Sequence, residues 1–279
     1  MKQTILSLRA QKEAGEPISM LTAYDYTTAK IMDQSDIDAI LIGDSLGMTM
    51  MGYSDTLPVT VDDMIVYGRS VARACENSFV IIDMPFLSYQ VSVEQALTEA
   101  GRIMKETGAD AVKLEGGTPI APQIRALTQI GIPVCAHIGM TPQSHHTMGG
   151  FKVQGREELG ARRLLADARA VQEAGAFAVV LECVPPDLAA LITKELDIIT
   201  IGIGAGNTCD GQVLVVQDML GMNDTTPKFV RPFASLKETM QMAFREYDRS
   251  VKRGEFPTEQ EAYAESGLAV LLENDFSNL

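Results

Sequence analysis

"ISMLTAYDYTTAKIMDQSDIDAILIGDSLGM", residues 18–48, holds an apolar run at 18–24, a helical pattern at 26–35, and a second apolar run at 38–44 that breaks off at Asp44 and Ser45. Both runs are almost continuously apolar, as expected for strands covered on both faces in a parallel sheet. The same unit recurs along the chain. "SFVIIDM" (78–84), "DAVKLEG" (110–116), "IPVCAHI" (132–138), "FAVVLEC" (177–183), "IITIGIG" (198–204) and "QVLVVQD" (212–218) are six further runs. Helical patterns at 61–74, 93–107, 119–130, 156–174 and 186–195 lie between them. The segment 93–107 is punctuated by Ser92 as an N-cap, Gln95 three residues later and Gly108 as the stop. Eight strands alternating with helices read as an α/β fold, a closed (β/α)8 TIM barrel in a single domain over 1–279; an open doubly wound sheet is the alternative. Residues 1–13 read as a helix capping the barrel floor and 234–252 as the last helix, with 253–279 left without an assigned structure.

Composition agrees with one large core: 279 residues are 46% hydrophobic and 6% aromatic. Counting 23 basic against 37 acidic side chains gives a net charge of −14, which repels phosphate backbones and anionic lipid heads. Nucleic acid and membranes are therefore not expected partners. No run of about 18 apolar residues occurs, and "MKQTILSLRAQKEAGEP" lacks a leader-like apolar core, so a cytoplasmic location is expected. Cys75, Cys135, Cys183 and Cys209 are scattered without a CxxC pair and read as free buried thiols.

In a barrel every parallel strand delivers its C-terminal end to the same rim. Polar residues collect there: Tyr24 and Asp25, Asp44 and Ser45, Asp83, Lys113 and Glu115, His137, and Glu182. Singly, each has a plain explanation. Asp44 can cap the turn "GDS", Asp83 can start one, Lys113 can snorkel, and His137 can be a hydrogen-bonded structural histidine. Glu182 is harder to explain so, because its apolar neighbours make an unpaired carboxylate costly. Six consecutive strands ending in ionisable groups outweigh the single readings. Asp44, Asp83 and Glu115 form a hard-oxygen set that suits Mg²⁺, and zinc is disfavoured because no His or Cys cluster accompanies them.

Two other stretches are less telling. The glycines of "IGIGAGN" (201–207) do not fit a dinucleotide fingerprint, so a tight turn or a small-ligand contact is expected there. "HHTMGGFKVQGR" (145–156) reads as a long connection that can act as a lid. Adjacent side chains do not easily face one metal, so His145 and His146 read as solvated or packed within the loop.

In order and spacing, "TAYDY", "GDSLGM", "LPVTVDDM", "DMPF", "VKLEGG", "PVCAHIGMTPQS", "GGFKVQGR", "VLECVP", "IGIGAGN" and "TPKFVRPF" resemble the ketopantoate hydroxymethyltransferase family. The resemblance covers about residues 1–257. It implies hydroxymethyl transfer from 5,10-methylenetetrahydrofolate to 3-methyl-2-oxobutanoate in pantothenate biosynthesis, forming 2-dehydropantoate through a Mg-stabilised enolate. By the same resemblance, Asp44, Asp83 and Glu115 hold Mg²⁺, while Asp44, Ser45, Asp83 and Lys113 bind the keto acid. Glu182 is the proton acceptor, and the assembly is a homo-oligomer, typically a decamer. The chain departs from the family pattern at "AHIGM", at the His145–His146 pair, and in its C-terminal ending.

The chemistry is coherent with these roles. A 2-oxo acid offers two oxygens to a hard cation, and an enolate formed beside it is stabilised by the ion and Lys113. Glu182 would act as the general base, with His137 the next candidate. A Mg²⁺ enzyme of the phosphoenolpyruvate mutase and isocitrate lyase type is the alternative, and a non-catalytic 2-oxo-acid binder is a third.

Overall fold

The apolar runs form eight parallel strands: β1 (Ile18–Thr22), β2 (Ala39–Ile42), β3 (Phe79–Asp83), β4 (Ala111–Glu115), β5 (Val134–Gly139), β6 (Ala178–Glu182), β7 (Ile199–Ile203) and β8 (Gly211–Leu214). They pair in sequence order into a closed barrel, with β8 returning to β1. The computed structural model describes residues 2–150, 152–266, 268, 269 and 272. Among these no helix is long and apolar enough to cross a membrane.

Successive strand side chains point to opposite faces, and this parity divides the core in two. Ile40, Ile42, Val80, Ile82, Val112 and Leu114 face outward and pack under the helices. Ile18, Met20, Leu41, Phe79, Ile81, Ala111, Cys135, Val180 and Ile201 face inward and fill the lower barrel. Phe79 and Phe177 meet there edge to face, ring centroids 5.6 Å apart. Each fully buried aliphatic side chain contributes about 1.5–3 kcal/mol.

The helices seat their apolar stripes on the outward set. Val61–Ala74 opens with a capping box, in which Thr60 Oγ1 accepts from the Asp63 N–H and Asp63 accepts from the Thr60 N–H. It buries Met64, Ile65 and Val71. At Gly68 a Cβ would lie 2.5 Å from Ile82 Cδ1 and 2.9 Å from Thr107 Cγ2, so this helix can approach the sheet only through glycine. The helix Val93–Thr107 begins at Ser92, which accepts from the Gln95 N–H at 3.1 Å, and stops at Gly108 in the left-handed region.

The N-terminal helix, Ile5–Ala14, closes the barrel floor. Leu8 is buried in the inward-facing cluster. Lys12 Nζ donates to Leu196 O (3.3 Å) and Ile198 O (2.9 Å) and pairs with Asp210 (2.8 Å).

Local differences from the sequence reading have physical causes. The expected strand at 212–218 stops at Leu214, because the Val216 N–H donates to Thr22 Oγ1 (3.0 Å) and a helical turn, Val216–Met219, begins. The expected helix 119–130 divides into a 3₁₀ turn, Thr118–Ile120, and a helix, Ala121–Gln129, each with a proline in its first turn. Four-residue helices at Leu46–Thr49 and His145–Met148 are too short to show a period. The helix Leu236–Arg253 has no buried residue.

Candidate active site

The inward-facing parity that is apolar at the barrel floor turns polar at the strands' C-terminal ends. Thr22, Asp83, Lys113, Glu115, His137 and Glu182 occupy those positions, with register pairs Asp83–Lys113 and Glu115–His137. They line a cavity of about 840 Å³ at that end of the barrel, together with Asp44 and Ser45 from the loop after β2. All six residues singled out as site residues, Asp44, Ser45, Asp83, Lys113, Glu115 and Glu182, border this one cavity. Asp25 does not; it caps the helix Tyr26–Asp33 by accepting from the Thr28 N–H at 2.9 Å.

The loop after β2 is shaped for the site. At Gly43 a Cβ would fall 2.7 Å from Ser45 Oγ, so the residue ahead of Asp44 has no room for a side chain. The Asp44 N–H donates to Asp83 Oδ2 at 3.1 Å, which holds the two acids side by side. Ser45 makes no capping bond; its Oγ shares a 2.8 Å hydrogen bond with the buried Tyr24 hydroxyl. Burial pushes the Tyr24 phenol up to about 12, so it stays neutral beside the serine.

Lys113 is the buried cation of this cluster, 3.0 Å from Asp83 Oδ1. The contact is an ion pair without hydrogen-bond alignment, since Asp83 Oδ1 has no aligned donor. Burial alone would lower the Lys113 pKa, but the charges of Asp83, Glu115 and Asp44 together hold it above its ordinary value. Burial first, and the Asp83 charge second, push the Asp44 carboxyl up to about 7. Burial likewise holds Glu115 well above the usual carboxylate range, against the opposing charge of Lys113.

His137 links this cluster to Glu182. Burial first and the Lys113 charge second lower its pKa, so the imidazole is neutral. Lys113 Nζ lies 3.3 Å from Nδ1, and an ammonium can only donate, which makes Nδ1 the acceptor and puts the ring proton on Nε2. Nε2 sits 3.2 Å from Glu182 Oε2 without the alignment a hydrogen bond needs. Glu182 is the least buried of the four acids, its side chain 15% exposed. The next residue, Cys183, is a non-glycine at φ 49°, a conformation that costs about 1–3 kcal/mol. Backbone bonds from Cys183 N to Ile203 O (2.9 Å) and from Gln154 N to Cys183 O (2.8 Å) hold it and fix where the strand releases Glu182.

Sequence reading missed Gln143 and Tyr89. Gln143 Nε2 donates to Asp44 Oδ2 (2.9 Å) and its backbone N–H to Glu115 Oε2 (2.9 Å). The Tyr89 hydroxyl donates to Gln143 Oε1 (2.8 Å) and accepts from the Glu115 N–H (3.0 Å). The position of Gln143 just past the end of β5 was the available signal; nothing local marks Tyr89. The cavity's outer wall comes from the 223–230 loop, including Lys228 and Phe229.

These residues suit a hard divalent cation. Asp44, Asp83 and Glu115 bring three carboxylates against the one ammonium of Lys113, and Asp83 Oδ1 is a buried oxygen without an aligned donor. Glu115 is separated from Asp44 by Gln143, which binds both, whereas Asp44 and Asp83 are adjacent. Mg²⁺ commonly takes only one or two carboxylates and keeps several waters, so that arrangement is adequate for it.

A compact group of another kind lies beside the cavity mouth. Asp55, His145 and His146 bring three ligand atoms within 4.8 Å of one another. As expected for a solvated or loop-packed pair, His146 is exposed and His145 partly buried. The short helix lets the neighbouring rings fold together, centroids 4.0 Å apart.

The family model for ketopantoate hydroxymethyltransferase matches residues 2–259. A 3-methyl-2-oxobutanoate hydroxymethyltransferase from Clostridium novyi is 55% identical over 264 residues, 94% of this chain and 96% of the relative. One from Geotalea daltonii is 57% identical over 261 residues, covering 93% and 98%. Among solved structures, phosphonopyruvate hydrolase in complex with oxalate and Mg²⁺ aligns with TM-score 0.62 at 13% identity, covering 99% of this chain and 97% of that one. A 2,3-dimethylmalate lyase of the PEP mutase/isocitrate lyase superfamily aligns with TM-score 0.60 at 18% identity, covering 99% and 97%. These two likenesses bear on the fold alone.

Proposed function

The chain belongs to the ketopantoate hydroxymethyltransferase family, and from that premise we propose how its cavity adds a hydroxymethyl group to 3-methyl-2-oxobutanoate. The observation that carries the reading is the inward-facing set at the strand ends: paired acids around one buried lysine, with Glu182 at the edge beside a neutral histidine. Asp44 and Asp83 would hold Mg²⁺, with Glu115 behind them through Gln143. When bound, the ion polarises the ketone of the keto acid and makes the neighbouring C–H more acidic. Lys113, held charged by its carboxylate neighbours, stabilises the negative charge that develops on the ketone oxygen. Ser45, oriented by Tyr24, donates to the keto-acid carboxylate.

Glu182 takes the proton from C3 of the keto acid. His137 stays neutral and cannot compete as a strong acid; its Nε2–H is within reach of the Glu182 carboxylate. The carbanion then bonds to the one-carbon unit of 5,10-methylenetetrahydrofolate, which enters through the outer cavity past Phe229 and Lys228; both carbon–nitrogen bonds of that unit break, water supplies the hydroxyl group, and tetrahydrofolate leaves with its two nitrogens carrying the proton taken from C3 and one from the water. That wall pairs an aromatic face with a cation, a suitable boundary for a flat, anionic donor.

Four free cysteines favour a cytoplasmic location, where thiols stay reduced. The helix Leu236–Arg253 exposes Phe244, Tyr247 and Val251 on one side, and this uncovered apolar face supports a homo-oligomer, with a decamer the family-like size. Light scattering that returns the monomer mass of 30.2 kDa would refute the oligomer. The activity is tested by following 2-dehydropantoate formation with Mg²⁺ and methylenetetrahydrofolate, each omitted in turn. Turnover without folate, giving carbon–carbon cleavage or phosphoryl migration, would overturn the reading.

A further inference from the structure

His145 and His146 directly follow the loop that delivers Gln143 to Asp44, and Asp55 lies on the loop between β2 and the helix Val61–Ala74. Both loops reach the cavity lining, through Pro142 and Thr56. The His145 Nδ1 lies 2.9 Å from Pro142 O, and because a carbonyl only accepts, Nδ1 carries the proton and Nε2 is the unprotonated nitrogen. That Nε2 lies 4.0 Å from Asp55 Oδ2. Asp55 is itself oriented, its Oδ1 accepting from the Leu57 N–H at 3.0 Å. His146 stacks against His145 and brings its own nitrogen within 4.8 Å of the other two ligand atoms.

We propose that Asp55, His145 and His146 form a second metal site, for a borderline divalent transition metal such as Zn²⁺ or Co²⁺. Two imidazoles and one carboxylate are the donor set such ions take, and not the all-oxygen set of the Mg²⁺ site. Metal–ligand bonds of about 2.0–2.2 Å put two ligands of a tetrahedral ion roughly 3.4 Å apart. The 4.0 Å separation closes to that with small side-chain rotations. The hydrogen bonds from His145 to Pro142 and from Leu57 to Asp55 are the orienting contacts that metal ligands usually have. Partial exposure leaves a fourth position for water. A bound ion would brace the two loops at the cavity mouth and hold the segment that positions Gln143. This inference does not depend on the reaction proposed above.

The test uses the full chain without an affinity tag, in excess Mg²⁺, with Zn²⁺ competed against a chromophoric chelator. We expect one Zn²⁺ per chain. His146→Ala and Asp55→Asn should each weaken it by more than the roughly tenfold that even outer contacts cost. His146 is exposed and Asn keeps the Leu57 bond, so both variants should melt like the parent in metal-free buffer. Co²⁺ in the site should give visible bands without a thiolate charge-transfer band. Less than one Zn²⁺ per chain, or unchanged affinity in both variants, would overturn the site, and a thiolate band would assign the ion to cysteine instead.

Discussion

Replacing Glu182 by Gln removes a base while leaving nearly the same shape. Its carboxylate lies 3.2 Å from His137 Nε2 without hydrogen-bond alignment, and its side chain is 15% exposed. Neither a strong bond nor a buried charge is lost, so the folding free energy should change by less than about 1 kcal/mol. Asp44, Asp83 and Lys113 are untouched, so Mg²⁺ and keto acid should still bind. Turnover should fall on the order of 10²-fold or more, about 2.7 kcal/mol in the barrier. The decisive assay follows exchange of the keto acid's C3 hydrogen into deuterated buffer by NMR. That half-reaction needs proton removal but no one-carbon donor. Exchange should drop in parallel with turnover. A folded, substrate-binding Glu182→Gln protein that exchanges at the parent rate would remove Glu182 from this step and place the base elsewhere in the cavity.

Asp44→Ala and Asp83→Ala should each abolish keto-acid binding in Mg²⁺ by calorimetry; normal affinity in either protein would refute binding through the cation. Lys113→Met leaves three buried carboxylates without their cation and should destabilise the fold by about 3–5 kcal/mol at pH 8; urea titrations should show the loss shrinking at pH 5, where Asp44 and Glu115, both raised by burial, can take up protons. The Asp44 carboxyl, raised to about 7 against an unfolded value near 4, favours the fold when protonated, so this contribution is complete below about pH 4 and is lost as pH rises through 7. Mg²⁺ bound at Asp44 as proposed would displace that proton. Its affinity should therefore rise between pH 6 and 8 with proton release, seen as a calorimetric enthalpy that varies with buffer ionisation heat; a buffer-independent enthalpy would contradict the assignment.

The alternation of near-continuous apolar runs with amphipathic helices was enough to read an eight-stranded barrel from sequence, because a strand buried on both faces and a helix buried on one carry different periods. The gathering of Asp83, Lys113, Glu115, His137 and Glu182 at one rim was also legible, since barrel closure sends every strand end to the same side. Strand ends were less so. β8 stops early because Thr22, nearly 200 residues away in sequence, takes the Val216 N–H. Tyr89 and Gln143 reach the acids through bonds to residues 26 and 99 positions away, separations that no local pattern encodes. Their role, the placement of Glu115 behind Gln143, and the meeting of Asp55 with His145 and His146 were decided by tertiary packing. Sequence sets what each segment can bury and which way its side chains alternate; only closure of the barrel fixes which side chains from different loops share a few ångströms of space.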